Sequence, residues 1–373
     1  MQPQRSICIA CLSLAGGGAE KVAVNLANHY SRQGYPAEML LLEAEGPYVS
    51  MIDPGVQIVD LGLPRKRNLQ SLHYLRPVRS YLKKRRPGVV LSVLRSSNII
   101  TGLAATGLSG IRLVFREANT LDEVWRSALI KKKAYLWGMR IAYKRAARII
   151  ANSHDTLDDL VRAGITDSDK ALVIPNPVLP DNHEALSREE PEGAFVENPS
   201  VKIILAIGRL HVQKNYPMLI RAFGRLYARN RSLRLVIIGE GGEKERLQNL
   251  AERLDLQEVV AFESFRENIF SWLRRADVLA LSSSWEGFGN VLVEALSVGT
   301  PIVATDCRGG PAMILEHGRY GALVAPNDEE AFADALQKTL DKKDHDRAPL
   351  IARAQQFTVS AVAQEYLKVL LNE

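Results

Sequence analysis

The stretch ILAIGRLHVQKNYPMLIRAF, residues 204–223, decides the fold. A short apolar run ends in Gly208-Arg209-Leu210, passes Lys214-Asn215 and gives way to a segment of helical period. Strand, glycine turn and helix in that order make the repeating unit of a parallel sheet wound with helices. The same alternation recurs along the chain. In the first half the candidate strands are SICIACL, AEMLLLE, VQIVDL, GVVLSVL, IRLVFRE, ARIIANS and ALVIPN. In the second half they are KIILAIG, LRLVIIG, VVAFES, VLALSSS, PIVATD and GALVA. The expected fold is α/β, with two doubly wound, Rossmann-like units in succession.

A length of 373 residues suits two domains. Three prolines, Pro175, Pro177 and Pro180, interrupt regular structure where the first unit ends. The expected division is an N-terminal domain over 1–178, a polar, acidic linker over 179–199, a second domain over 200–355 and a C-terminal helix over 356–373. That helix carries the stripe Val359, Val362, Ala363, Tyr366 and Leu370, which can pack on either domain; crossing back to the N-terminal domain is part of the expected fold. Ligands of open parallel sheets bind beyond the carboxyl ends of the strands, so two such sheets are expected to face each other across a cleft that holds the ligand.

Composition is globular, with 46% hydrophobic and 24% charged residues. No run has the roughly 18 uncharged apolar residues of a spanning helix, and the start MQPQRSICIACLSL lacks the regions of a signal peptide, so a cytoplasmic protein is expected. Cys8 and Cys11 spell C-x-x-C, but three residues apart on a strand they point to opposite faces and cannot bridge. The net charge of +6 is unevenly placed: residues 1–180 carry 25 Lys+Arg against 14 Asp+Glu, and residues 181–373 carry 23 against 28. The basic half contains Arg65-Lys66-Arg67, Lys83-Lys84-Arg85-Arg86, Lys131-Lys132-Lys133 and the series Arg140, Lys144, Arg148. Such a surface suits an anionic lipid, a nucleic acid or a phosphorylated substrate.

Several motifs follow strand ends. In LSLAGGGAEKVAVNLANHYSRQG (12–34), Gly16, Gly17 and Gly18 precede a helix with the stripe Val22, Leu26, Tyr30, an arrangement that lets a backbone approach an anion or makes a plain tight turn. The third glycine of the dinucleotide fingerprint is missing, with Lys21 in its region, which counts against a nicotinamide cofactor. Arg209 leaves a strand end and Lys214 a helix start, so both can converge on one anion, a diphosphate; two solvated surface cations are the competing reading. LVIIGEGGEKERL resembles many nucleotide-binding turns without being specific to them, and the FESFREN loop either passes beside a planar base or is an ordinary connection. In SSSWEGFGNVLVEAL (282–296), Glu286 and Glu294 flank a helix start near Asn290. The helix start suits a phosphate, and a carboxylate accepts two hydroxyls of a polyol, so the element fits a diphosphate held between two sugars. A nucleotide diphosphate-sugar is the ligand class. Two D-x-D triplets, Asp167-Ser168-Asp169 and Asp344-His345-Asp346, end no apolar strand and read as solvated surface, so no metal ligand is assigned.

GRLHVQKN followed by EGFGNVLVEAL, with GGGAEKV near the start and VIPNPV at the join, resembles the retaining glycosyltransferases of family 4, whose two facing Rossmann-like domains make the GT-B fold. The resemblance spans nearly the whole chain. It implies sugar transfer from a UDP-, GDP- or ADP-sugar with retention, without a metal and without a further cofactor, the donor's own leaving phosphate oxygen taking the acceptor proton. It implies that Arg209 and Lys214 neutralise the diphosphate, Glu294 holds the ribose and Glu286 the donor sugar. Gly16, Gly17, Gly208, Glu240, Gly241, Phe288, Gly289, Asn290 and Val291 are expected to line the donor site. Where many members carry a histidine, this chain has Arg116, Glu117, Ala118 and Asn119, so Glu117 or Asn119 is left to orient donor or acceptor, with Glu117 placed among the catalytic residues. Met313 stands where an acidic residue is frequent and receives no role.

Acceptor contacts are expected from the basic first domain. In TLDEVWRSALIKKKAYLWGMRIAYKRAARII, Trp125, Tyr135, Trp137 and Tyr143 interleave with Lys and Arg as in an interfacial helix, which suits a lipid-linked glycan at the inner face of an anionic membrane; a solvated basic face is the plain reading. Two other functions compete, an NAD-dependent oxidoreductase and a basic nucleic-acid-binding protein. The glycine pattern argues against the first. The second has no zinc spacing or stacking motif behind it, so no nucleic-acid partner is expected.

Overall fold

The computed structural model describes residues 6–372 except 12, 15, 16, 64–71, 122, 123, 125–128 and 343, with backbone alone at 72, 130 and 131. The chain separates into two compact units, Met1–Val178 with Val359–Glu373, and Leu179–Thr358.

Seven parallel strands build the first unit: β1 (Ile7–Cys11), β2 (Ala37–Leu41), β3 (Gln57–Asp60), β4 (Val89–Val93), β5 (Arg112–Glu117), β6 (Arg148–Ala151) and β7 (Ala171–Val173). Their order is β3-β2-β1-β4-β5-β6-β7. Ile9 lies opposite Met39 and Leu91, which sets the register of the centre. The connecting helices include α1 (Gly18–Arg32), α2 (Leu72–Arg85), α3 (Arg95–Ala104), α4 (Leu129–Tyr143) and α5 (His154–Arg162). Both faces of the sheet are covered, which is why its strands read as near-continuous apolar runs. Ile7, Ile9 and Cys11 point into one core with the α1 residues Val22, Leu26 and Tyr30. Cys8 and Ala10 point into the other, with Tyr81, Ile100 and Tyr143. The two cysteines therefore sit on opposite faces, buried and unbridged.

The second unit has the parallel strands β8 (Lys202–Ile207), β9 (Leu233–Ile238), β10 (Val260–Glu263), β11 (Val278–Leu281), β12 (Ile302–Thr305) and β13 (Ala322–Val324), in the order β10-β9-β8-β11-β12-β13. Its helices are α6 (His183–Ser187), α7 (Tyr216–Arg229), α8 (Lys244–Arg253), α9 (Phe270–Arg275), α10 (Asn290–Ser297), α11 (Pro311–Ile314), α12 (Glu329–Asp341) and α13 (Ala348–Ala354). The apolar face of α7, with Leu219, Phe223 and Leu226, packs on Leu235, Ile237 and Phe332. Each of the thirteen runs singled out in the sequence contains one of these strands.

The stretch 179–199 differs from the linker expected there, because it is packed on the second unit. Leu179 pairs with Thr358, His183 and Phe270 have ring centroids 6.1 Å apart, and the Asn268 amide donates to Leu186 O at 2.8 Å. Ala194 N donates to Glu263 Oε1 at 2.9 Å. Glu263 and Asn268 belong to the FESFREN stretch, so two of its polar side chains hold this segment.

The last helix, α14 (Val359–Leu371), returns to the first unit. Its stripe of Val362, Ala363, Tyr366 and Leu370 joins the core under α1, where the Tyr30 hydroxyl donates to Ala363 O at 3.1 Å. On the strand side Arg116 Nε donates to the Tyr366 hydroxyl at 3.0 Å.

Candidate active site

In a doubly wound sheet the ligand crevice opens where the strand order reverses. In the second unit that point lies between β8 and β11, and the loops leaving those strands interlock. Ser282 Oγ donates to Lys214 O at 2.7 Å, Ser284 N to Gln213 O at 2.8 Å, and the Gln213 amide to Trp285 O at 2.9 Å. The result brings Lys214 Nζ to 2.6 Å from Glu286 Oε1, with side chains only 15% and 8% exposed. Ser283 Oγ donates to the same oxygen at 2.6 Å. Gly208 is required beneath this pair: its φ is +152°, and a Cβ there would stand 2.6 Å from Lys214 Cε. The Tyr216 hydroxyl donates to Gly208 O at 3.1 Å, and burial, followed by the Glu286 charge, raises the pKa of this phenol.

The loop bearing Glu286 is held from β12 as well. Glu286 N donates to Arg308 O at 2.9 Å, and a Cβ on Gly309 would meet Glu286 O at 2.1 Å, so the loops touch backbone to backbone. Behind them the Cys307 thiol is pushed up to about 12 by burial and then by Glu286, which keeps it protonated. Gly289, at φ +92°, turns the chain into α10, and Glu294 is buried one turn inside that helix. Asn290 is half-buried, whereas Val291 is buried and Phe288 packs edge-on against Phe357 at 5.9 Å, so Phe288 supports the loop. Arg209 is exposed, and among the described residues its guanidinium has no hydrogen-bond or ion-pair partner. Glu240 and Gly241 are exposed in the β9 loop, where Leu210 N donates to Glu240 O at 2.8 Å.

In the first unit the order reverses between β1 and β4. Gly17 caps α1 with Glu20 folded over it, while Gly16 lies outside the described residues. Glu117 ends β5 on the face covered by α3 and α4. It is fully buried there, and its oxygens engage Arg95 at 2.9 Å, Asn98 at 3.1 Å and the Tyr143 hydroxyl. Glu117, expected among the catalytic residues, thus has its carboxylate facing inward, with both oxygens accepting hydrogen bonds from side chains of the first unit. Burial and then the Glu117 charge raise the Tyr143 pKa well above the usual phenol value, so this hydroxyl is a neutral donor.

The profile of the family Glycosyl transferases group 1 matches residues 187–357, and that of the Glycosyl transferase 4-like domain matches residues 17–177. A D-inositol 3-phosphate glycosyltransferase of Streptomyces scabiei is 30% identical over 357 residues, covering 88% of this chain and 79% of that protein. The chain belongs to the group 1 glycosyltransferases.

A Campylobacter jejuni relative, N-acetylgalactosamine-N,N'-diacetylbacillosaminyl-diphospho-undecaprenol 4-alpha-N-acetylgalactosaminyltransferase, is 27% identical over 96% of this glycosyltransferase and 98% of its own length. Anabaena HepE, solved in complex with UDP and glucose, superposes with a TM-score of 0.82 over 99% of this chain and 100% of its own, at 21% identity. The two doubly wound units of this glycosyltransferase are thus those of a GT-B fold, and the oxidoreductase reading gives way.

Sequence reasoning located Lys214 and Glu286 but not their contact. It passed over Ser283 and Gln213, which only the interlocked loops reveal, and Gly309, whose doublet in CRGGP after a strand was a usable signal. It also passed over Arg95 and Asn98. Both D-x-D triplets have exposed aspartates, and among the described residues no group of three or more His, Cys, Asp or Glu side chains is arranged to hold a metal ion. No helix among them is long and apolar enough to cross a membrane.

Proposed function

We propose that this glycosyltransferase moves a sugar from a nucleotide diphosphate-sugar to a hydroxyl acceptor, with retention and without a divalent ion, and that the donor sits at the β8–β11 strand ends. The observation that carries the reading is the Lys214–Glu286 pair at the switch point, with the exposed Arg209 next to Gly208 and the start of α10 following the Glu286 loop. As the glycosidic bond stretches, charge builds on the leaving diphosphate, and fixed cations with a helix N-terminus stabilise it. Each such group supplies about 3–4 kcal/mol of transition-state stabilisation. Glu286 Oε1 is engaged by Lys214 and Ser283, which orients the carboxylate and leaves Oε2 for a donor-sugar hydroxyl. Glu294, on α10, is the group for the ribose. The leaving phosphate oxygen accepts the acceptor's proton, so the chain need supply no base.

The acceptor is a lipid-linked or polysaccharide intermediate, as the name of the Campylobacter jejuni relative and that of an amylovoran biosynthesis glycosyltransferase of Erwinia amylovora suggest. One face of α4 supports a place at the inner surface of a membrane. Leu129, Lys133, Trp137 and Ile141 recur at four-residue spacing, with Leu129 64%, Trp137 66% and Ile141 37% exposed. Tyr143, expected on that face, is fully buried, and Arg140 is tied to Ala163 O at 2.7 Å; Trp125 lies outside the described residues. The inserting group is thus Trp137 with its aliphatic neighbours, and Lys133 and Lys144 meet anionic headgroups.

The test is a screen of UDP-, GDP- and ADP-sugars for diphosphate release with the purified chain. One or more donors should be turned over; inertness toward all three classes, with no binding of any nucleoside diphosphate, would remove the reading.

A further inference from the structure

The short helix α11 is held at both ends. At its start, Gly309 and Gly310 lie backbone to backbone on the loop that carries Glu286: a Cβ on Gly309 would collide with Glu286 O, and one on Gly310 with Phe288 O. At its end stands Arg353 of α13, whose side chain is only 9% exposed. Its Nε donates to Ile314 O at 3.0 Å and its Nη2 to Met313 O at 2.7 Å. Nη1 donates to Gln356 Oε1 at 2.6 Å and stands 2.9 Å from Glu316 Oε1. The guanidinium also lies over two rings, with Cζ 5.0 Å from the centroid of Phe357 and 5.7 Å from that of Tyr320. Phe357 in turn packs edge-on against Phe288, the residue on which Gly310 rests. One cation therefore braces two supports, α11 and Phe357, that converge on the loop 286–288.

The segment that Arg353 closes would not keep this shape alone. Four residues are too few for a stable helix. The chain leaves α11 through Glu316 and His317, both left-handed at φ +43° and +53°. Such a conformation persists only where neighbouring groups impose it. Arg353 imposes it through the Glu316 carboxylate and the last two carbonyls of α11. We propose that Arg353 is a positioning residue for sugar transfer: acting through α11 and Phe357, it fixes the loop that holds Glu286 against Lys214. This rests on the glycosyl-transfer reading above, in which Glu286 meets the donor sugar. A reacting group displaced by about 1 Å loses on the order of 10²-fold in rate, so even a partial slackening of the brace is measurable.

The experiment compares Arg353→Lys with Phe357→Leu and with Leu336→Val, read by Tm, transfer kinetics well below Tm, and affinity for nucleotide sugar and nucleoside diphosphate. Lysine keeps the charge but cannot span Met313 O, Ile314 O and Gln356 Oε1 together or lie flat on Phe357. Arg353→Lys should lower kcat/KM for transfer about tenfold and weaken binding of the nucleotide sugar more than that of the nucleoside diphosphate. Phe357→Leu removes one support while keeping the hydrogen bonds of Arg353. It should lower transfer in the same direction, and it carries the test if Arg353→Lys does not fold. Leu336→Val thins the core beneath α12 and should lower Tm with kcat/KM unchanged. Wild-type kcat/KM in folded Arg353→Lys, or in Phe357→Leu where it stands in, would overturn the proposal. So would a kinetic loss that Leu336→Val shares at an equal shift in Tm. Either result leaves the glycosyl-transfer reading intact, whereas a wild-type chain inert toward every nucleotide sugar would overturn both.

Discussion

Nζ of Lys214 and Oε1 of Glu286 stand 2.6 Å apart although their strands, β8 and β11, are separated in the chain by two others. The ammonium is held over the strand ends by a carboxylate that is itself braced by Ser283. In the proposed donor site a diphosphate would therefore meet a cation already in place, which spares the reordering of a flexible lysine.

Replacing Lys214 by Ala should lower transfer about 10²–10³-fold, since one preorganised charge opposite the leaving group is lost. Arg209→Ala should lower it in the same direction with no change in Tm, because its guanidinium is exposed and has no partner among the described residues. Initial-rate kinetics with saturating acceptor reads both, and near-normal turnover by Lys214→Ala would contradict the assigned role.

Gly208→Ala places a methyl 2.6 Å from Lys214 Cε at a backbone conformation that L residues rarely adopt. The lysine must move off Glu286 to make room. Turnover is expected to fall more than tenfold, with a stability loss of about 1–3 kcal/mol from the strained φ. Circular-dichroism melts beside kinetics separate the two effects; a variant with wild-type kinetics would show that the pair tolerates displacement.

Stability should fall as pH rises above about 10, the ordinary phenol value. Burial raises the pKa of Tyr30, Tyr143, Tyr216 and Tyr366 in the folded chain. Above that pH the unfolded chain releases protons that the folded chain keeps, so unfolding is favoured; below it the contribution is complete. Tyr143→Phe should show a shallower decline of the urea midpoint between about pH 9 and 11. A decline as steep as that of the wild type would mean that Tyr143 contributes nothing to it.

Trp137→Ser should reduce sedimentation with vesicles rich in anionic lipid, and raising salt should reduce binding of the wild type. Each basic residue near such a surface adds about 1 kcal/mol, so Lys133 and Lys144 alone leave only weak attachment. Undiminished binding by the Trp137 variant would place the contact elsewhere.

The fold was legible because strands buried on both faces are apolar throughout, and thirteen such runs punctuated by helical periods leave little room for another architecture. The placement of Arg209, Lys214 and Glu286 after strand ends was legible as well, since each follows an apolar run. What escaped depends on side-chain direction and long-range pairing. Glu117 was placed among the catalytic residues because the resembled family carries a histidine in its region, yet its carboxylate is held inward by Asn98 and Tyr143, whose contact with it no local pattern announces. The stretch 179–199 is polar enough to pass for a linker, but Glu263, Asn268 and Arg275, distant in sequence, hydrogen-bond to it. Tyr143 shares its helix with Trp137 and lies on the buried side, a distinction that interleaved composition does not reveal.

The return of α14 also bears on how the polypeptide assembles during synthesis. Residues up to 178 emerge before Val359–Leu371, yet Val22, Leu26 and Tyr30 receive their cover from Val362, Tyr366 and Leu370. Until that helix is made, the first unit carries an apolar patch that α14 does not yet cover, so a fragment ending near Val178 should aggregate or recruit chaperones. The helix Val359–Leu371 acts as a closing piece.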